Sequence, residues 1–186
     1  MMRAAAPVAV AMAVAAAAGC GAPARQATPP PTATPEPFIA FERDLQAFRD
    51  WESIDLPRGG AQGITHVAGV RREYLNRRPP AGATRFPVGT IFIKELREGA
   101  DAGHQLFAMV KRGAGYNRDG ATGWEWFELR PRTDGSLGIV WRGINAPVGE
   151  EYGGDPAGGC NSCHGMSAAN DFVKSPVVKL RPRPAG

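Results

Sequence analysis

The sequence predicts an α+β domain: one antiparallel β-sheet of about five strands, with an N-terminal helix before it and a C-terminal helical segment after it. Three observations predict this. Five short runs rich in β-branched and aromatic residues follow one another, separated by clusters of Gly, Pro, Asn and Asp. The connections are too short for parallel crossovers, so the runs pair antiparallel. One earlier stretch repeats its apolar residues at helical rather than strand spacing.

That stretch is FERDLQAFRDW, in which Phe41, Leu45, Phe48 and Trp51 share one side of a helix while Glu42, Arg43, Asp44 and Arg49 occupy the others. A helix there ends before Pro57. The strand runs are GVRREYLN from residue 69, PVGTIFIKEL from 87, QLFAMVKR from 105, GWEWFELR from 123 and SLGIVWRG from 136. Periodicity is then lost in APVGEEYGGDPAGG, up to residue 159. No internal repeat is visible, and one domain spans about residues 38–183.

A chain of 186 residues with 43% hydrophobic and 22% charged residues suits one globular domain plus appendages, and excludes a disordered tail, a collagen or a solenoid. The 22 Lys+Arg against 18 Asp+Glu give +4, but the cations are scattered singly or in pairs, so nucleic acid is not an expected partner. Three cysteines are an odd number and too few for a disulfide scaffold. Each needs its own account.

Residues 1–19, MMRAAAPVAVAMAVAAAAG, hold one early cation, Arg3, then an apolar Ala/Val/Met run too short to span a bilayer comfortably, then small residues. This reads as an export signal. Its end, Ala17-Ala18-Gly19-Cys20, resembles a bacterial lipobox, in which cleavage leaves Cys20 as an acylated N-terminus. Leu rather than Ala is usual at the position of Ala17, so a plain signal peptide is the alternative. Residues 20–37 form a Pro-rich tether that extends roughly 3.1 Å per residue in polyproline conformation. Loss of residues 1–19 removes one cation and leaves a side-chain charge of +3. The expected location is the periplasmic side of a bacterial membrane, with membrane contact through a lipid anchor only.

Residues 160–164 are Cys-Asn-Ser-Cys-His, the C-x-x-C-H pattern of c-type haem attachment. Two thiols three positions apart can add to the two vinyl groups on one porphyrin edge, and His164 then lies beneath the iron as proximal ligand. A zinc site would need a fourth ligand and usually a second Cys pair, which Cys20 at the terminus does not supply. A thioredoxin-like pair would follow a βαβ pattern, which is absent. The expected cofactor is therefore one covalent haem c, held by Cys160, Cys163 and His164 in the C-terminal helical segment.

Only 22 residues follow His164, and the sulfur among them, Met166, lies about 7 Å of chain away on the proximal side. A sixth ligand, if there is one, comes from the sheet region, with His66, His104, Met109 and Lys94 as candidates. Each also has an ordinary structural reading. An open or apolar distal side favours a small ligand over electron transfer alone.

With the strands and the haem motif together, residues from about Phe48 to Val177 resemble the cytochrome P-460 and cytochrome c′-beta family. The resemblance rests on Arg49-Asp50-Trp51, residues 70–76, residues 86–95, Met109-Val110-Lys111, Gly115-Tyr116, Trp124-Glu125-Trp126-Phe127, the haem motif and Asp171-Phe172-Val173, in that order. It implies an exported, homodimeric, sheet-rich haem c protein with a five-coordinate iron and a pocket for diatomic or small nitrogenous ligands. The P-460 branch oxidises hydroxylamine with a haem cross-linked to a lysine, and passes electrons to a periplasmic acceptor. The c′-beta branch lacks the cross-link and binds nitric oxide beneath a phenylalanine cap.

Lys94 stands at the position of the cross-linking lysine. Thr90, Phe92, Lys94 and Leu96 share one face of their strand, and Ile91, Ile93, Glu95 and Arg97 the other, so alternation does not decide which is inward. If the Phe92/Leu96 face is buried, Lys94 is desolvated and its pKa falls toward the neutral amine that such a bond requires. A solvated lysine paired with Glu95 or a neighbouring strand is the alternative. Asp155 is the nearest carboxylate before Cys160, ahead of Glu150 and Glu151, and is the candidate proton acceptor, although Asp before Pro is also a turn residue. Phe92, Phe107 and Phe127 are the candidates for the distal cap.

Overall fold

The computed structural model describes residues 35–56, 70–97, 104–147 and 159–181, all within the unit Thr34–Gly186. Six strands form one sheet: β1 Glu52–Asp55, β2 Val70–Leu75, β3 Ile91–Arg97, β4 His104–Lys111, β5 Trp124–Pro131 and β6 Leu137–Gly143. Their order in the sheet is their order in the chain, and every neighbouring pair is antiparallel. Five strands match the expected runs, and β1 is an addition. A four-residue strand with the alternation Glu-Ser-Ile-Asp carries too little apolar signal to be read alone.

The expected N-terminal helix is replaced by two 3-10 turns, Glu42–Asp44 and Phe48–Asp50, and the C-terminal helix α1 covers only Cys160–Gly165. The fold is thus mostly β rather than α+β. Eleven residues sustain an isolated α-helix poorly, and here their polar side chains are drawn to the edge strand instead. Glu42 Oε1 accepts the Ile139 N–H at 3.0 Å, and the Gln46 amide both accepts from Leu137 N at 2.8 Å and donates to Leu137 O at 3.0 Å. These bonds cover the open edge of β6 at Leu137 and Ile139.

The sheet is apolar on both faces. On one, Ile91, Ile93, Leu106, Ala108, Val110, Phe127 and Leu129 pack against Ala40, Leu45 and Phe48 of the N-terminal segment. On the other, Leu75, Phe92, Met109, Trp124, Trp126 and Trp141 pack against Val173, Val178 and Leu180 of the C-terminal segment. Burying a side chain such as Phe48 stabilises the fold by roughly 1.5–3 kcal/mol. The expected alternatives at Phe127 and His104 fall on the N-terminal face. Phe127 is core, 1% exposed, so it is not part of a cap over the C-terminal segment.

The N-terminal face also buries Glu95. Its Oε1 accepts from Arg49 at 2.9 Å and lies 2.6 Å from His104 Nε2, while its Oε2 accepts from the Tyr74 hydroxyl at 2.7 Å. Burial pushes the carboxyl up, but the bonds from Tyr74, His104 and Arg49 outweigh it and bring the pKa down from 4.5 to about 2. A lowered carboxylate pKa stabilises the fold above the ordinary value and loses that stabilisation as pH falls toward 2. Glu95→Gln is expected to lower stability at pH 7 by about 1.5–3 kcal/mol and to flatten the loss between pH 4.5 and pH 2. Urea unfolding of both proteins across that range measures it.

Candidate haem-attachment site

α1 lies on the C-terminal face of the sheet, and a single side chain inside the C-x-x-C-H motif fixes it there. Asn161 Oδ1 accepts three N–H groups: Asn117 Nδ2 at 2.8 Å, Trp126 Nε1 at 3.0 Å and Ala121 N at 3.2 Å. Its own amide donates to Asn117 Oδ1 at 3.0 Å, and Asn117 donates to Trp124 O at 3.1 Å. Asn117 adopts φ +54°, which Asn tolerates better than most residues. Gly120 is required beside it, because a Cβ there would meet the Asn161 amide at 2.3 Å.

Cys160 and Cys163 are both half-buried thiols, not joined in a disulfide. Lys174 Nζ donates to Cys163 Sγ at 3.2 Å. The His164 ring lies 4.5 Å from that of Trp126, at 43°. Its Nδ1 is 2.7 Å from the Phe172 carbonyl oxygen, which can only accept, so Nδ1 carries the proton and Nε2 the lone pair. Desolvation holds His164 at about 4, so the ring is neutral near pH 7.

The chain reaches Phe172 through a strained reversal. Asp171 and Phe172 have φ +50° and +69°, a left-handed conformation costing roughly 1–2 kcal/mol per residue. The reversal is held from the sheet side. Lys111 Nζ lies 2.8 and 2.9 Å from the two Asp171 oxygens, with both side chains 6% exposed. Phe86 N donates to Asp171 Oδ2 at 3.0 Å, and Trp124 Nε1 donates to Asp171 O at 2.7 Å. Lys111 also lies 4.8 Å above the Trp124 ring.

Lys94 sits on the same sheet face as α1, half-buried, directly opposite Glu73 on β2 and Phe107 on β4. Desolvation, then the nearby Arg71 charge, lower its pKa to about 8. Its sequence neighbour Glu95 points to the other face. Glu73 is 7% exposed, its pKa is raised by desolvation, and its Oε1 accepts no hydrogen bond. Phe92 is buried in the apolar layer, edge-on to Phe86 at 5.3 Å, and Met109 lies in the same layer. Phe107 is half-buried opposite Lys94.

Two of the four candidates for a sixth ligand, Lys94 and Met109, therefore share a face with α1. His104 does not, being engaged with Glu95 on the far side. His66, Asp155, Glu150, Glu151 and Cys20 lie outside the described residues. Met166, just past α1, is 69% exposed. Among the described residues no three His, Cys, Asp or Glu side chains converge as ligands of one metal ion would. Asn161, Asn117, Glu73, Lys111 and Asp171 carry the site, although the sequence assigned none of them a role in it. The variable positions of C-x-x-C-H bear no pattern that would mark Asn161, Asn117 meets it from 44 residues away, and Lys111 and Asp171 meet each other from 60.

Fold and site together define a six-stranded antiparallel meander that carries a C-x-x-C-H helix on one face. Comparison of the chain with protein-family models, with curated proteins and with solved structures finds no match.

Asn161→Ala leaves the Trp126 indole, the Asn117 amide and the Ala121 amide without their shared acceptor. It is expected to cost about 1–3 kcal/mol in urea unfolding and to speed hydrogen exchange at Ala121. Gly120→Ala is expected to mimic it by pushing Asn161 away.

Proposed function

We propose that the protein is an exported c-type haem protein of the cytochrome P-460 and c′-beta kind, binding nitric oxide or hydroxylamine at a pentacoordinate iron. The observation that carries this reading is the His164 ring, whose Nδ1–H is held by the Phe172 carbonyl so that Nε2 is left as a ligand, next to two thiols. A hydrogen bond to the other ring nitrogen is the usual partner of a metal-bound histidine. The donor set suits haem c: Cys160 and Cys163 would hold the porphyrin edge and His164 the iron. Bound there, the haem supplies an iron for a small nitrogenous ligand and an acceptor for its electrons.

Lys94, Phe107 and Glu73 share the face against which α1 packs, which supports a ligand pocket on that side. In the P-460 branch, Lys94 is the residue that bonds the macrocycle, and its lowered pKa of about 8 leaves more neutral amine near pH 7 than an ordinary lysine has. Asp155 would relay protons from hydroxylamine, and a periplasmic acceptor would take the electrons. The second reading is a nitric oxide binder of the c′-beta type, favoured by the half-buried Phe107 directly opposite Lys94 as a cap. A simple electron carrier has less support, because His104 faces the other side and Met109 packs in the apolar layer. The export signal and Cys20 support a lipid anchor on the periplasmic side, and the family likeness a homodimer.

The haem-loaded protein is expected to keep one haem per chain after denaturation, measured by intact mass, and to give the same ferrous spectrum in His104→Ala. Lys94→Ala then separates the two branches. A red-shifted ferrous Soret band that vanishes in this variant assigns a cross-linked haem and hydroxylamine turnover. An ordinary high-spin ferrous spectrum in both proteins assigns the nitric oxide binder. A chain that acquires no covalent haem overturns the proposal.

A further inference from the structure

We infer that the buried Lys111–Asp171 pair is a positioning device for His164: it locks the Asp171–Phe172 reversal so that the Phe172 carbonyl holds the imidazole in one tautomer and one orientation. For the role of His164 as an iron ligand, the inference rests on the function proposed above. The positioning of the ring stands on the geometry alone.

Four contacts converge on Asp171, and all come from the sheet side of the C-terminal segment. Lys111 Nζ meets both carboxylate oxygens, Phe86 N donates to Oδ2, and Trp124 Nε1 donates to the backbone carbonyl. Lys111 is itself steered by the Thr122 carbonyl at 3.1 Å and by the Trp124 ring. The geometric consequence of this buried ion pair lies one residue further on.

Asp171 and Phe172 both hold positive φ, a conformation that Asp tolerates better than most residues but that Phe does not adopt without restraint. The same reversal lets Phe172 N donate to Ser167 O at 2.9 Å, while Ser167 N donates to His164 O at 2.9 Å. Residues 164–172 thus close on themselves, with the imidazole bonded to the far end of its own loop. Without the Asp171 anchor, relaxation of either residue to negative φ swings the Phe172 carbonyl off Nδ1. A metal-bound imidazole that loses this acceptor is a weaker electron donor, which disfavours the oxidised metal.

The test compares wild type, Asp171→Asn, Lys111→Met and Lys111→Arg. In the haem-loaded proteins, the ferrous iron–histidine stretching frequency is expected to fall and the midpoint potential to rise in Asp171→Asn and Lys111→Met. Lys111→Arg, which keeps the charge, is expected to stay near wild type. Unchanged frequency and potential in folded, haem-loaded Asp171→Asn and Lys111→Met overturn the inference. Trp124→Phe removes the N–H to Asp171 O and trims the ring beneath Lys111 while leaving both charges in place, and it serves if the charge variants do not fold, with a smaller shift in the same direction expected and no shift counting against the device.

A second readout needs no haem. Ring nitrogen chemical shifts of His164 in the haem-free full chain are expected to show the Nδ1–H tautomer in wild type and a mixture of tautomers in Asp171→Asn. If the tautomer shifts as expected but no variant acquires haem, the positioning device stands and the haem reading fails. If wild type itself shows a mixture, the device fails whatever the haem content.

Discussion

A single sheet with two apolar faces is unstable in water until both are covered, and that constraint organises the whole domain. Residues 38–51 cover one face with Ala40, Leu45 and Phe48, and residues 171–180 cover the other with Val173, Val178 and Leu180. The C-x-x-C-H helix precedes the second cover in the chain, so docking Val173 and its neighbours also brings α1 against the Trp126 side of the sheet. The site thus depends on how the second apolar face is buried. α1 has only six residues, and its hold on this position comes from the Asn161 hydrogen bonds and the half-buried Cys160 and His164 rather than from an apolar face of its own.

Polar groups within the two layers divide the labour. On the N-terminal face, Glu95 gathers Arg49, His104 and Tyr74, and Glu125 gathers Arg112 and Arg142, so buried carboxylates are satisfied by several donors. These networks tie strands to the N-terminal segment and carry no open chemistry. On the C-terminal face the pattern differs. Asp171 and Lys111 satisfy each other, whereas Glu73 keeps one buried oxygen without a hydrogen bond and Lys94 is held at a lowered pKa. This incomplete satisfaction distinguishes the C-terminal face from the N-terminal one.

Much of the architecture was legible in the sequence, and the gaps have physical causes. The five longer strands were readable because each joins β-branched or aromatic residues to a turn cluster, as in Trp124–Pro131 after Gly123. The orientation of β3 was not, because both of its faces are buried and alternation of apolar with polar residues then carries no signal. The helical spacing of Phe41, Leu45, Phe48 and Trp51 marked the buried Leu45 and Phe48, but Phe41 is 47% exposed and the backbone forms 3-10 turns rather than a helix. Phe127 looked equivalent to Phe107 as a cap, and only strand register separates them: Phe107 lies opposite Lys94, and Phe127 opposite Ala108 on the other face.

The sequence by itself determined the chemistry on offer: two thiols and an imidazole at fixed spacing, and a run of antiparallel strands. Those features are local, written within five to twenty consecutive residues, and need no partner to be recognised. Tertiary structure alone decided which face of the sheet receives α1, that Asn161 anchors it, and that Lys111 and Asp171, 60 residues apart, restrain the carbonyl that orients His164. These contacts arise from long-range burial. A hydrogen bond or ion pair of this kind becomes worth its desolvation only once both partners are enclosed, so no local pattern of residue types announces it.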